Sequence, residues 1–159
     1  MGFVTTENER TVMQMREILF RGKRIDDGKT VEGLYIFDGF KHYIVKFHTD
    51  ENAFGTLYPV DETFEVTPET VGQFTGLTDR NGKRIFEGDI IDASAERWDA
   101  CGPAGHDSPI IPVAWSKDNC GFDPFANYDC DCGVYIDANN CIVIGNIHDN
   151  PELLEDTNA

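Results

Sequence analysis

Apolar residues fall in short runs along the chain, each bounded by Gly, Asp, Asn or Pro. The clearest case is the run 31–37, which is followed by Asp38-Gly39 and then by a second run at 40–47. Asp-Gly favours a tight two-residue hairpin turn because both central positions need positive φ. Alternation on the second strand places Tyr43, Val45 and Phe47 on one face and His42 on the other. The pattern therefore predicts a β-hairpin with His42 at the surface or edge.

The same logic predicts further strands and few helices. Asn81-Gly82 supplies another hairpin turn, Pro112 indicates an edge or a bulge, and Thr67-Pro68 and Asn150-Pro151 are typical of short helix starts. The predicted strands lie at 15–21, 54–60, 63–66, 73–75, 83–86, 90–93, 109–115, 133–137 and 141–146, the last two forming a hairpin. Segments 95–108 and 116–132 are predicted to be loops. The turn at Glu87-Gly88-Asp89, leading into a branched apolar strand, is typical of small SH3-like barrels.

Composition supports an all-β fold with short helical turns. The 159 residues include 15 Gly, 7 Pro, 11 Phe and 5 Tyr, which favours strands and turns over long helices. No apolar stretch approaches the roughly 20 residues of a membrane span. The N-terminus has no basic region followed by an apolar core, so it does not resemble a secretory signal. We expect a cytoplasmic protein without membrane contact.

Charge is strongly negative and unevenly placed. The formal net charge is −16; residues 1–85 hold 11 basic and 14 acidic side chains, and residues 86–159 hold 2 and 15. Such a C-terminal half is repelled by nucleic-acid phosphates and by anionic lipid. Short basic patches at 22–24 and 82–84 do little to offset this. A solvated acidic surface is favoured over a site for cations or a basic partner.

Three blocks together carry a family resemblance. They are the segments 15–21 (MREILFR), 69–91 (ETVGQFTGLTDRNGKRIFEGDII) and 143–154 (VIGNIHDNPELL). In this order and spacing they resemble the YopX family of phage and prophage proteins. The resemblance implies an all-β fold with a small barrel-like part and a bacteriophage or prophage origin, and it implies no activity. It predicts an extension at 1–14, with Met15 as an alternative start, and a YopX-like domain at 15–159. That domain has a predicted subdivision into 15–68 and 69–154.

Metal ligands are the first chemistry to weigh. The candidates are Cys101, Cys120, Cys130, Cys132 and Cys141 with His106, but no Cys-x-x-Cys unit is present. Reduced thiols are therefore favoured over zinc or a disulfide. The loop oxygens of Asp118, Asn119, Asp123, Asn127, Asp129 and Asp131 miss the EF-hand register, so a solvated acidic loop is favoured over calcium. We assign no metal ligand and no cofactor.

Catalytic motifs are equally weak. Glu87 and Asp89 flank Gly88 and favour a turn-capping role over paired acid–base catalysis. His148 and Asp149 beside Asn146 form a polar cluster that favours a turn over a general base. No nucleophile elbow, phosphate loop or dinucleotide fingerprint is present. We assign no catalytic residue.

Several functions remain open at this level. The leading hypothesis is an accessory protein that binds a host or phage protein without catalysis and forms a homo-oligomer by pairing exposed edge strands. An acidic DNA mimic that inhibits a nucleic-acid-binding host protein is a sharper version. The alternatives are a metal-dependent hydrolase and a small-barrel nucleic-acid binder that uses Phe74, Phe86 and Trp98, which net repulsion disfavours.

Overall fold

The computed structural model describes residues 16–51, 55, 57–95, 109–126 and 136–155. These residues form eleven strands, two 3-10 turns (Pro68–Thr70 and Ala138–Asn140) and one single-turn helix, α1 (Glu152–Glu155). The strands are β1 Phe20–Lys23, β2 Thr30–Phe37, β3 His42–Glu51, β4 Leu57–Glu65, β5 Gly72–Thr78, β6 Arg84–Phe86, β7 Asp89–Asp92, β8 Ile110–Pro112, β9 Ala114–Ser116, β10 Gly121–Asp123 and β11 Ile142–Asn146. The predicted all-β class is confirmed.

Six strands form one antiparallel sheet in the order β4-β3-β2-β1-β5-β6. Strand β1 lies inside this sheet, because Phe20 pairs with Gly33 on β2 and with Gln73 on β5. Strand β5 thus joins the N-terminal strands although it follows residue 68. The subdivision into 15–68 and 69–154 stays a prediction, and the extension 1–14 lies outside the described residues.

The remaining strands form a three-stranded sheet, β11-β7-β8, and a small hairpin, β9-β10. The larger core lies around this second sheet and is built from Ile85, Ile91, Ala93, Ile111, Val113, Phe122, Ile136, Ala138, Cys141 and Val143. A smaller core under the first sheet holds Val31, Ile44 and Val66 with flanking aromatic side chains. Burial of these branched side chains supplies the main stabilisation of both sheets.

The first hairpin is confirmed, but its two central turn residues are Gly39 and Phe40 in place of the predicted Asp38 and Gly39. Phe37 pairs with His42, and the Asp38 N–H donates to the Lys41 carbonyl at 3.2 Å. The reason for the shift is the Asp38 side chain, whose Oδ1 accepts backbone N–H bonds from Phe40 and Lys41, both at 2.8 Å. A carboxylate that bonds the backbone ahead of it stabilises such a turn from its first position. The two predicted faces of β3 are confirmed by the same register.

The described strands form open sheets, not a closed barrel. After β6 the chain turns at Glu87-Gly88, where Gly88 has φ of +84°, and β7 then pairs with β8 and β11 instead of β6. The turn lies close against the first sheet, since a Cβ on Gly72 would stand 2.2 Å from the Glu87 carbonyl oxygen. The ladder is therefore interrupted between the two sheets.

Several predicted strand boundaries differ from those in the structure. The two strands predicted at 54–60 and 63–66 are one strand, β4. The strand predicted at 109–115 is split into β8 and β9 at Val113, whose N–H donates to the Asp89 carbonyl at 2.8 Å. The loop predicted at 116–132 contains β10, and its residues 127–132 lie outside the described part. The closing helix is confirmed as α1.

The hairpin predicted between 133–137 and 141–146 lies partly outside the described residues, and its described part differs from the prediction. Strand β11 pairs with β7, and Asp137 instead caps a 3-10 turn by accepting from the Asn139 N–H at 2.9 Å. Residues 133–135 of the predicted strand lie outside the described part. Position 143 is drawn toward the first sheet by its backbone N–H, which donates to Asp79 Oδ2 at 3.0 Å. A carboxylate distant in sequence thus helps to choose the pairing.

Asp79 connects the two sheets at the end of β5. It is 3% exposed, and its Oδ1 accepts from the backbone N–H groups of Asn81 and Lys83 at 2.8 and 2.9 Å. Burial raises the pKa of this carboxyl, but the bonds from Val143, Lys83 and Asn81 outweigh burial and hold its pKa below the ordinary 3.8. The ionised form is therefore favoured by the fold.

We predict that Asp79→Ala lowers the free energy of unfolding by about 3 kcal/mol, because three backbone donors lose a charged acceptor. Since folding lowers the pKa, the stabilisation is complete above 3.8 and is lost as pH falls through the folded value. Asp79→Asn should therefore lose less stability than wild type between pH 5 and pH 2. Urea unfolding across this pH range measures both effects.

The matched control is Asp118→Asn, which changes an exposed aspartate in another turn. It should leave the pH dependence of wild type unchanged. Identical acid sensitivity of wild type and Asp79→Asn would contradict the assigned role.

Candidate functional site

A buried ion pair joins the two sheets next to the Glu87-Gly88 turn. Two guanidinium nitrogens of Arg21 on β1 donate to the two carboxylate oxygens of Asp89 on β7, one of them at 3.3 Å. Asp89 also accepts from the backbone N–H of Phe86 at 2.9 Å, and the guanidinium lies 4.5 Å from the centre of the Phe86 ring. The side chain of Asp89 is 2% exposed and that of Arg21 is 18% exposed. The predicted turn-capping role of Asp89 is confirmed.

A second, more exposed group of polar side chains lies beside this pair. Asn146 at the end of β11 accepts on Oδ1 from the N–H groups of His148 and Asp149, at 2.9 and 3.0 Å. Its Nδ2 donates to Asp149 Oδ2 at 2.8 Å, and Lys23 on β1 forms an ion pair with the same carboxylate. The Lys23 hydrogen bond, followed by that of Asn146, holds the pKa of Asp149 below its usual value.

A small cavity of about 70 Å³ lies between these groups. Its lining includes Arg21, Lys23, Thr70, Glu87, Asn146 and His148. Both cations are already paired, and the Thr70 hydroxyl accepts from the Lys23 N–H at 2.9 Å and donates to the Thr67 carbonyl at 2.7 Å. Volume and chemistry suit a few water molecules. These contacts hold the two sheets together, in agreement with the turn role predicted for 146–149.

The sequence candidates for metal binding are not brought together in the described ranges. Within those ranges no group of three His, Cys, Asp or Glu side chains is placed to hold a metal ion. Cys120 is exposed, and Cys141 is buried with its Sγ donating to the Asp137 carbonyl at 3.3 Å. Cys101, His106, Cys130 and Cys132 lie outside the described residues, as do Asn127, Asp129 and Asp131.

The candidates for nucleic-acid contact are largely engaged within the fold. Arg24 in the first basic patch pairs with Asp26, and Arg84 in the second pairs with Glu17 and Glu32. Phe74 and Phe86 are buried and contact each other, with ring centres 5.5 Å apart. Two of the three aromatic side chains proposed for base stacking are therefore inside the protein. Trp98 lies outside the described part.

An exposed apolar surface lies on the outer face of the β2–β3 hairpin. We call it the hairpin face and define it by Leu34, Ile36, Tyr43 and Phe47. Leu34 pairs with Val45 and Ile36 pairs with Tyr43, so these side chains share one side of the sheet. Leu34, Ile36 and Phe47 are 45%, 47% and 62% exposed. Contiguous apolar side chains in water mark interaction surfaces more often than isolated ones do.

The opposite side of the same hairpin is also apolar near its tip. His42 stacks on Phe37 with ring centres 4.6 Å apart, and its Nδ1 lies 2.5 Å from the Tyr35 hydroxyl. Phe40 in the loop is 92% exposed. Sequence reasoning found the strands but missed the surface, because a strand with apolar residues on both faces usually indicates burial on both sides. The signal present was Phe40 at the centre of a turn.

Open antiparallel sheets joined by a structural ion pair define a small all-β protein. Residues 19–155 match the YopX protein family, and the chain belongs to that family. The fold is similar to the crystal structure of protein EF1440 from Enterococcus faecalis, with 24% identity, a TM-score of 0.53 and coverage of 88% of this chain and 99% of that one. No curated protein matches the chain. Among the described residues, no helix is long and apolar enough to cross a membrane.

We predict that Arg21→Ala lowers the free energy of unfolding by about 3–5 kcal/mol, because it leaves the buried Asp89 carboxylate without its cation. Adding Asp89→Asn to Arg21→Ala should restore part of the loss, since the buried negative charge is then gone. Denaturant unfolding at pH 7 measures both variants.

Lys23→Ala is the matched control on the same strand. Its ion pair with Asp149 is more exposed, so the expected loss is under about 1 kcal/mol. Equal losses for Arg21→Ala and Lys23→Ala would refute the ranking of the two ion pairs.

Proposed function

We propose that this YopX protein is a phage or prophage accessory protein of the bacterial cytoplasm that binds another protein, without catalysis, through the hairpin face. The observation that carries the proposal is the group of exposed apolar side chains on β2 and β3. Leu34 lies opposite the buried Val45 on β3, and Phe47 lies two residues beyond Val45 on the same face, so exposed side chains around a buried one form an apolar strip across the two strands. Covering such a strip with a partner removes apolar surface from water, which is the main favourable contribution to protein association.

The shape of the surface suits a protein partner better than a small molecule. The face is part of a sheet, and its neighbour on β4 presents Asp61 and Thr63, both exposed. An apolar centre with a polar rim is the usual arrangement of a protein interface. By contrast, the cavity beside Arg21 and Asp89 is small, and its charges are matched inside the fold.

The other functions predicted from sequence have less support. A DNA mimic needs carboxylates displayed toward a partner, yet Asp89, Asp137 and Asp149 in the acidic half are engaged in internal hydrogen bonds. A nucleic-acid binder has its Arg24 and Arg84 paired internally. The metal-dependent hydrolase has no observation in its favour in the described part of the chain. These three stay predictions of lower rank.

Homo-oligomer formation by edge pairing also stays a prediction. Strand β4 is an edge of the six-stranded sheet and carries Asp61, Glu62 and Glu65. Pairing β4 with a second copy of itself sets carboxylates near one another, which disfavours that route. Light scattering over a range of protein concentrations measures the oligomeric state.

We predict that the double variant Leu34→Ser/Phe47→Ser loses a host protein that wild type captures from nuclease-treated bacterial lysate. The physical reason is loss of the apolar strip, and capture should resist added salt more than a purely ionic contact does. Tagged pull-down followed by protein identification makes the comparison.

Ile144→Ser is the matched control because Ile144 is 40% exposed on β11, in the other sheet. It should capture the same protein as wild type. Capture that is unchanged in Leu34→Ser/Phe47→Ser would remove the hairpin face as the binding surface. Circular dichroism and unfolding curves establish that each variant is folded.

A further inference from the structure

We infer that the outer edge of β4 is a docking site for an extended basic segment of a partner protein, which pairs with β4 as an additional strand. This inference rests on the proposed function, because it names the second contact and the chemistry of the partner held at the hairpin face. It draws on the backbone of β4, the placement of Pro59 and the charges along the strand.

The backbone of β4 presents hydrogen-bonding groups away from β3. The Val66 N–H donates to the His42 carbonyl at 2.9 Å, which identifies His42 and Val66 as a hydrogen-bonded pair. Paired positions alternate along an antiparallel ladder, so Asp61, Thr63 and Glu65 direct their N–H and C=O groups outward. The Glu65 carbonyl already accepts from Ile25 at 3.0 Å. Asp61 and Thr63 are therefore the positions open to a new strand within the described part of the chain.

Pro59 sets one limit of this edge. It lies opposite Thr49, one outward-facing position before Asp61. A proline has no N–H to donate, so the strand loses one outward donor there while its bonds to β3 are unaffected. Natural sheets protect edges with proline and charge. The protection here is partial, because Asp61 and Thr63 keep both backbone groups.

Charge along the edge selects the occupant. Glu65 pairs with Lys41 at 2.7 Å, and Glu62 lies opposite Lys46 on β3. Asp61 has no paired cation in the described residues, and the chain as a whole carries a net charge of −16. A second copy of β4 brings more carboxylates, and an acidic strand does the same. A segment with Lys or Arg at alternate positions places its cations on the face of Asp61, the carboxylate without a paired cation in the described residues, and forms favourable cross-strand pairs there.

Geometry connects this edge to the hairpin face. An added strand lies about 5 Å from β4, and residues on its outer face are then neighbours of Asp61 and Thr63. Phe47 pairs with Asp61, and Val45 pairs with Thr63. Strand β4 separates an added strand from β3, so the added strand lies about 10 Å from Phe47, and the rest of the partner has to extend across Asp61 and Thr63 to cover Leu34 and Ile36. Strand addition supplies backbone bonds, while the apolar strip supplies the side-chain contact.

The test uses two capped, fluorescently labelled peptides, one alternating Lys with Val and the other alternating Glu with Val. Fluorescence anisotropy with the full chain should show binding of the Lys peptide and not of the Glu peptide. Amide hydrogen exchange measured by NMR should show slowed exchange at Asp61 and Thr63 when the Lys peptide is bound. Absence of binding, or binding without slowed exchange at these two positions, would overturn the inference.

Two sets of variants separate strand pairing from charge attraction. Thr63→Pro removes an outward donor, and Thr63→Val is its matched control with the N–H retained. Only the proline variant should lose the Lys peptide. Should Thr63→Pro not fold, the double variant Asp61→Lys/Glu62→Lys tests the inference. It should bind the Lys peptide about ten-fold more weakly than wild type does, and it should bind the Glu peptide, which wild type does not. Unchanged preference in this double variant would overturn the inference.

Comparison with the hairpin-face variants keeps the two proposals distinguishable. Leu34→Ser/Phe47→Ser should still bind the Lys peptide with slowed exchange at Thr63, since the edge is intact. If the Lys peptide still binds but Leu34→Ser/Phe47→Ser captures the same host proteins as wild type, the proposed function fails and the edge site stands. If Leu34→Ser/Phe47→Ser loses a host protein but the Lys peptide does not bind, the hairpin face stands as a binding surface and the edge site is ruled out.

Discussion

The ion pair between Arg21 and Asp89 is the contact on which the arrangement of the two sheets depends. Arg21 belongs to a strand inside the six-stranded sheet, and Asp89 begins the central strand of the other sheet. A buried carboxylate without its cation is strongly unfavourable, so the two strands are held at one separation. Phe86 contacts both members of the pair: its ring packs against the Arg21 guanidinium, and its N–H donates to the Asp89 carboxylate.

Around that pair, several neighbouring groups restrain the same junction. Gly72 lets the backbone of β5 approach the Glu87 carbonyl, which any side chain at that position would prevent. Asp79 joins the β5–β6 turn to β11 through the Val143 N–H. Lys23 and Asp149 connect β1 to the segment after β11. These bonds give Arg21, Asp79 and Asp89, which belong to the blocks that carry the family resemblance, a structural role.

The β2–β3 hairpin, by contrast, leaves several of its apolar side chains in solvent. Near β1 the hairpin places Val31 and Ile44 in a buried cluster, whereas Leu34, Ile36 and Phe47 stay exposed in the described structure. Aromatic stacking of His42 on Phe37 gives the tip its own local support.

Local chemistry in the sequence was enough to predict the all-β class, most strands, the faces of β3, the turn at 87–89 and the closing helix. These features follow from residue alternation, positive-φ glycines and capping side chains, which act over a few residues. Asp38 shifts the turn by one residue from the predicted position, because its side chain accepts from the N–H groups of Phe40 and Lys41.

Contacts between distant residues decided the rest. The pairing of β11 with β7, the open sheets in place of a barrel and the union of Arg21 with Asp89 join segments that lie 50 or more residues apart. Alternation along one strand does not specify its partner, because every apolar strand offers the same backbone bonds. The candidate surface is likewise tertiary. Leu34 and Phe47 resemble core residues in sequence, and only the positions of the two sheets leave them in solvent.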